Sequence, residues 1–178
     1  MTHILALSGS LRKHSFNTAL LEAAKAEAPS GVTIEIASLL DVPLYNGDDE
    51  DKDGLPTSVQ RLQTQLGETN GLLIATPEYN GGIPGVLKNA LDWMSRGPGG
   101  AGFRGKPVAL VGATPGGLGT ILSQTHLLPI LRNLGTKPWF GGRLTVSGAM
   151  SIFADSELKD EATRKMVAEF VSGYAASL

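Results

Sequence analysis

The chain has 178 residues, 42% of them hydrophobic and 18% charged, with a formal net charge of −2. That balance excludes an intrinsically disordered chain, which needs few apolar residues and high net charge, and it offers no basic field for nucleic acid. There is no cysteine, which excludes disulfides, thiolate catalysis and cysteine-held iron–sulfur clusters, so any redox chemistry has to come from a bound organic cofactor.

The length favours one domain spanning residues 1–178. No run of eighteen apolar residues is present, so no membrane span is expected. The opening Met1-Thr-His-Ile runs directly into a strand pattern and lacks the basic region of a signal peptide. Together with the missing cysteines, this leads to the expectation of a cytoplasmic protein.

In chain order, Ile4–Ser8 is a short apolar run ending in Gly9-Ser10, the mark of a buried parallel strand. A helix is expected from Ser15 to Ala28, with Leu20, Ala23, Ala24 and Ala28 on one face, stopped by Pro29-Ser30-Gly31. Thr33–Ala37 alternates as an edge strand does. Residues Asp41 to Leu55 read as a long loop whose acidic run, Asp48 to Asp53, is a solvated turn. Pro56 opens a second helix with Val59, Leu62 and Leu66 on its apolar stripe.

Leu72–Ala75 is the third strand, and Gly85–Arg96 the third helix, with Leu87, Ala90, Leu91 and Met94 at helical spacing. Val108–Val111 is the fourth strand. The fourth helix is expected from Leu118 to Leu134, with Pro129 kinking or interrupting it. Leu144–Val146 is the fifth strand, and Asp155 or Ser156 would cap a last helix carrying Leu158, Val167, Phe170 and Tyr174.

Strands alternating with helices imply an α/β fold with a parallel sheet covered on both faces. Right-handed crossovers restrict the topology to a doubly wound three-layer sandwich, such as five strands in the order 2-1-3-4-5, which is the order expected here. Ligands in such a sheet sit beyond the carboxyl ends of the strands at the switch point, here between strands 1 and 3. The loops leaving strands 1, 3 and 4 therefore become neighbours.

The first of these, Ser8-Gly-Ser-Leu-Arg-Lys-His-Ser-Phe-Asn17, contains neither a P-loop nor a G-x-G-x-x-G fingerprint. It supplies hydroxyls at Ser10 and Ser15, an amide at Asn17, a cation at Arg12 and the free N–H groups of a helix start, a set suited to a phosphate monoester. Ser15 as a plain helix cap explains part of the same pattern. In the second loop, Thr76-Pro-Glu-Tyr-Asn-Gly-Gly-Ile-Pro-Gly85, two prolines stiffen the backbone and Gly81-Gly82 lets it bend. Tyr79 presents a flat face to an aromatic ring, while Pro77, Glu78 and Asn80 suit the edge of a heterocycle; a tight connection with a packed tyrosine is the alternative. The third loop carries Thr114, Gly116, Gly117 and Gly119 ahead of a helix, either as backbone donors to a carbonyl-rich ring or a second phosphate, or as a plain turn. All three loops on one rim describe a single pocket for a phosphorylated planar heterocycle. The three histidines show no ligand spacing, and no metal site is expected.

These same residues, Gly9-Ser-Leu-Arg-Lys-x-Ser-x-Asn17, Pro77-Glu-Tyr-Asn80, Pro84-Gly-x-Leu-Lys-Asn-Ala-Leu-Asp-Trp93 and Gly116-Gly-x-Gly119, resemble the motifs of the NADPH-dependent FMN reductase family. The family includes flavin, quinone, azo-dye and chromate reductases, and the resemblance runs over essentially the whole chain. It implies a flavodoxin-like fold. FMN phosphate would meet Ser10, Arg12, Ser15, Phe16 and Asn17, and the ring would lie beside Pro77, Glu78, Tyr79 and Asn80. The turn at Thr114, Gly116, Gly117 and Gly119 would close the pocket.

The implied activity is hydride transfer from NADPH or NADH through FMN to a small-molecule acceptor, with no side chain acting as nucleophile or acid–base catalyst. FMN would be either a prosthetic group or a diffusing substrate. Dimers or tetramers are implied as well. The rival reading is a flavodoxin-type electron carrier without NAD(P)H turnover of its own, to which a net charge of −2 is poorly suited.

Overall fold

Strand β1 (Thr2–Ser8) buries Ile4, Leu5, Ala6 and Leu7 because helices cover both of its faces. In the computed structural model, which describes residues 1–178, it pairs in parallel with β2 (Val32–Ala37) on one side and β3 (Gly71–Ala75) on the other. β3 pairs in turn with β4 (Pro107–Ala113), and the path β2-β1-β3-β4-β5 is the doubly wound, flavodoxin-like order expected from the sequence.

The fifth position departs from expectation. Two short strands share it: β5 (Lys137–Pro138) lies along the start of β4, and β6 (Leu144–Val146) along its end. A strand of two residues has no period to read, so only the segment at 144–146 is visible in the sequence.

Alternation along the strands sorts the core into two layers. Ile4 and Ala6 face Leu20, Leu21, Val167, Phe170 and Val171 of α1 (Phe16–Ala26) and α7 (Glu161–Ala175). Leu5 and Leu7 face Leu62, Leu66, Leu87, Leu91, Leu127 and Leu131 of α3 (Thr57–Gly67), α4 (Gly85–Met94) and α5 (Ile121–Asn133). Tyr174, 1% exposed, donates its hydroxyl to the carbonyls of Leu72 and Pro107, tying α7 to two neighbouring strands. Burial pushes its phenol far above the ordinary range.

Three further expectations change. The acidic run is not a loop but helix α2 (Gly47–Asp53): Asn46 caps it by accepting from the Asp48 N–H, and Asp48, Asp49 and Glu50 occupy the first turn, where the helix dipole favours carboxylates. α5 begins at Ile121 rather than Leu118 and runs uninterrupted through Pro129, held by the buried Leu127 and Leu131. α7 is capped by Asp160, not by Asp155 or Ser156. Those two residues, at φ +50° and +64°, turn the small hairpin of β7 (Phe153–Ala154) and β8 (Glu157–Leu158), which follows α6 (Ala149–Ile152).

The segment before α2 is pinned to α4. Trp93, buried, donates its indole N–H to the Pro43 carbonyl at 2.9 Å, and Asn89 bonds both Pro43 and Tyr45. Arg96 holds Glu50 through its Nε, while the Tyr45 hydroxyl donates to the same carboxylate at 3.0 Å. The hydrogen bond with Glu50 raises both the Tyr45 phenol and the Arg96 guanidinium above their ordinary values.

At Asp160, hydrogen bonds from the Thr163 hydroxyl and backbone N–H, each 2.7 Å, hold the carboxyl below its usual range. A depressed folded-state pKa adds stability above the unfolded value, and that stability is lost as pH falls through the folded one. Asp160→Ala is therefore expected to melt below the wild type at neutral pH. The gap in Tm should close as pH falls below about 3.9, the reference Asp value; a gap independent of pH would refute the capping role.

Candidate functional site

The loop after β1 is set by hydroxyls. The Ser8 and Thr18 hydroxyls meet at 2.9 Å, Ser10 Oγ accepts from the Arg12 N–H, and Ser15 Oγ accepts from the Thr18 N–H as the N-cap of α1. Ser10 and Ser15 are buried, yet neither hydroxyl donates within the chain beyond this loop. The N–H groups of Phe16 and Asn17, the first two of α1, have no acceptor in the chain, as a helix start requires. Arg12 is exposed and makes no ion pair.

After β3 the chain turns tightly. Tyr79 and Gly82 exchange backbone hydrogen bonds of 3.2 and 3.0 Å across Asn80 at φ +52° and Gly81 at φ +71°. Asn tolerates this left-handed conformation better than other side-chain-bearing residues. Glu78 reaches sideways: its Oε2 accepts from the N–H groups of Leu122 and Ser123 at 2.9 and 3.2 Å, bracing the loop against the N-terminus of α5. Beneath it, Thr76 Oγ1 lies 2.7 Å from Ser123 Oγ.

One open cleft gathers Ser10, Arg12, Ser15, Phe16, Asn17, Pro77, Glu78, Tyr79 and Thr114, together with Ala113 and Pro115. The loops leaving the first, third and fourth strands thus meet as the topology requires. Within the cleft Arg12 is the one cation and Glu78, its carboxylate turned to α5, the one anion. Tyr79, 49% exposed, also borders a shallower hollow shared with Gly9–Arg12 and Pro84–Val86. Ala113 was missed in the sequence because its side chain carries no polar group that marks it, whereas Pro115 falls within the turn from Thr114 to Gly119 expected to close the pocket.

Four expected residues lie outside that lining. Asn80 shapes the Tyr79–Gly82 turn. Gly119, at φ +64°, packs on β6, where a Cβ would fall 2.7 Å from the Thr145 Cβ. Gly116 accepts from the Gly148 N–H, and Gly117 faces open space. A fifth expectation needs correcting. The Asn17 side chain is not a free amide beside the helix start: it is 3% exposed and bonded to the backbone of Ala113, leaving its backbone N–H as the group on offer.

No three metal-ligating side chains come together, and no helix is long and apolar enough to cross a membrane.

The model of a family described as NADPH-dependent FMN reductase matches residues 2–151. An NAD(P)H-dependent FMN reductase of Pseudomonas aeruginosa is 41% identical over 165 residues, covering 92% of this chain and 88% of the relative. A 2-hydroxy-1,4-benzoquinone reductase of Burkholderia sp is 38% identical over 174 residues, covering 97% and 94%. The solved structure of FerB, a flavoenzyme NAD(P)H:(acceptor) oxidoreductase from Paracoccus denitrificans, matches with a TM-score of 0.87 at 33% identity, covering 99% of this chain and 96% of that one.

Proposed function

The chain belongs to the NADPH-dependent FMN reductase family, and from that premise we propose that this NAD(P)H-dependent oxidoreductase holds FMN in the three-loop cleft and passes hydride to a small planar acceptor such as a quinone or a free flavin. The observation that carries the reading is the donor set at one end of the cleft: two buried hydroxyls, an unpaired guanidinium and two helix-start N–H groups, with the single carboxylate turned away. Those groups fit a phosphate dianion. A quinone acceptor is supported by the Burkholderia relative, itself a benzoquinone reductase.

When bound, FMN supplies the redox chemistry, taking hydride from the nicotinamide and returning electrons to the acceptor. The protein's part is to bind and orient. Ser10, Arg12 and Ser15, with the N–H groups of Phe16 and Asn17, hold the phosphate. Pro77, Glu78 and Tyr79 flank the ring on a loop stiffened by its bond to α5, and Thr114 and Pro115 close the opposite wall. Gly117 offers a backbone N–H beside it, that of Gly116 being turned to Thr114 Oγ1, whereas Asn80 and Gly119 act through backbone shape alone. Positioning a donor and acceptor against one face accounts for rate without an acid–base side chain.

All 178 residues act as one unit in this proposal, supported by α7, which lies beyond the family match yet anchors Tyr174 to β3 and β4. The proposal includes a cytoplasmic homodimer or homotetramer, for which light scattering of the purified protein is the test.

The visible spectrum before and after anaerobic NADPH tests the central claim. The expected result is a flavin band, present as purified or after adding FMN, that bleaches with NADPH and recovers with free quinone. A protein with no affinity for FMN ends the proposal. Flavin reduced only through a separate reductase would make the chain an electron carrier instead.

A further inference from the structure

We infer that Asn17 is a positioning residue for the flavin phosphate, acting through the backbone of Ala113 rather than by touching the ligand with its side chain; the inference rests on the FMN reading above. Asn17 Nδ2 donates to the Ala113 carbonyl and Oδ1 accepts from the Ala113 N–H, both at 2.9 Å, across 96 residues of sequence. This two-way bond closes on the backbone of Ala113 as a neighbouring strand would.

Its placement gives it consequence. Asn17 is the second residue of α1, so its N–H is one of the two helix-start donors facing the cleft, while Ala113 is the last residue of β4, immediately before Thr114 and Pro115. The clamp therefore fixes the spacing between the wall that holds the phosphate and the wall opposite. Ala113 is 2% exposed, so removing the bond leaves a buried N–H and a buried carbonyl without their partner. Among side chains of this length only an amide carries both a donor and an acceptor: aspartate lacks the donor, leucine lacks both, and glutamine is longer by one methylene. The second wall is braced separately, through the bonds that Glu78 accepts from α5, so the Asn17 clamp is the direct side-chain link between the first and third loops.

The test is FMN titration by fluorescence quenching on the wild type, Asn17→Ala and Asn17→Asp, with near-UV circular dichroism confirming that each apo protein is folded at the temperature used. Asn17→Ala is expected to raise the FMN Kd about tenfold to a hundredfold through lost preorganisation, and to change the visible circular dichroism of the bound flavin. Asn17→Asp should behave likewise while ionised and regain wild-type affinity as pH falls through its raised pKa, because the protonated carboxyl again has one donor and one acceptor. The wild type titrated at each pH removes the contribution of the phosphate's own protonation.

A folded Asn17→Ala with a Kd within about twofold of the wild type overturns the inference. If Asn17→Ala does not fold, an Asn17→Asp whose affinity follows pH only as the wild type does overturns it equally. A wild type that does not bind FMN refutes the cofactor reading and this inference with it, whereas a wild type that binds while the variants bind equally well refutes the clamp alone.

Discussion

Riboflavin is expected to bind this protein at least about a hundredfold more weakly than FMN, because hydrogen bonds to a charged group contribute about 1.5–3 kcal/mol each and riboflavin forfeits at least two of them. The groups concerned are Ser10, Arg12 and Ser15 with the N–H groups of Phe16 and Asn17, all lining the cleft. None of them has a protein anion to satisfy it, so the phosphate is the partner proposed for them. The charge component makes a second reading. Arg12 is exposed, so FMN affinity should weaken as salt screens it, and Arg12→Ala should flatten that dependence. Equal affinities for riboflavin and FMN, measured by fluorescence quenching under the same conditions, would mean that the phosphate is not held by this loop.

The second large effect is on stability. In β4, a Cβ added at Gly112 would fall 1.8 Å from Thr120 Oγ1 and 2.5 Å from the Thr76 carbonyl oxygen. A hydroxyl can rotate away, but the Thr76 carbonyl is backbone. Relieving the clash has to separate β4 from the chain leaving β3, directly beneath the two loops proposed to flank the ring. Gly112→Ala is therefore expected to lose about 3 kcal/mol, the upper end of ordinary overpacking. For a chain of this size that is a fall in Tm of about 6–12 °C.

Gly117→Ala is the matched control. A Cβ there meets nothing within 4 Å, so its stability should stay within about 0.5 kcal/mol of the wild type. Thermal melts of both variants decide the matter; a Gly112→Ala protein as stable as the control would show that β4 has room the packing denies. If FMN affinity falls in Gly117→Ala at unchanged stability, the glycine is a surface for the ligand and not merely a turn.

The layers of the fold were legible because their signals are local. An apolar run such as Ile4–Leu7 and a stripe such as Val59, Leu62 and Leu66 carry their own period, and parallel crossovers leave few topologies. Three loops rich in hydroxyls, prolines and glycines then had to meet at one rim. The helix at 47–53 was legible in principle too, through Asn46 ahead of three acidic residues. It was hidden because a helix with no buried residue has no apolar stripe to announce it. The cap of α7 was misplaced by four or five residues because Asp155, Ser156 and Asp160 are equally good caps by type, and only the small hairpin of β7 and β8 selects Asp160.

What the sequence alone determined was the class of fold, a short choice of doubly wound strand orders and the make-up of the loops that leave the strands, since each follows from spacing within a dozen or so residues. What the tertiary structure decided was how polar side chains are used once they arrive there. Asn17 turned from the cleft to the backbone of Ala113 and Glu78 turned to the start of α5, while away from the cleft Arg96 is held by Glu50. The split of the last sheet position between Lys137–Pro138 and Leu144–Val146 belongs to the same class. The physical reason is common to all four: a hydrogen bond depends on its partner as much as its donor, and these partners lie tens of residues away, where no local pattern reaches.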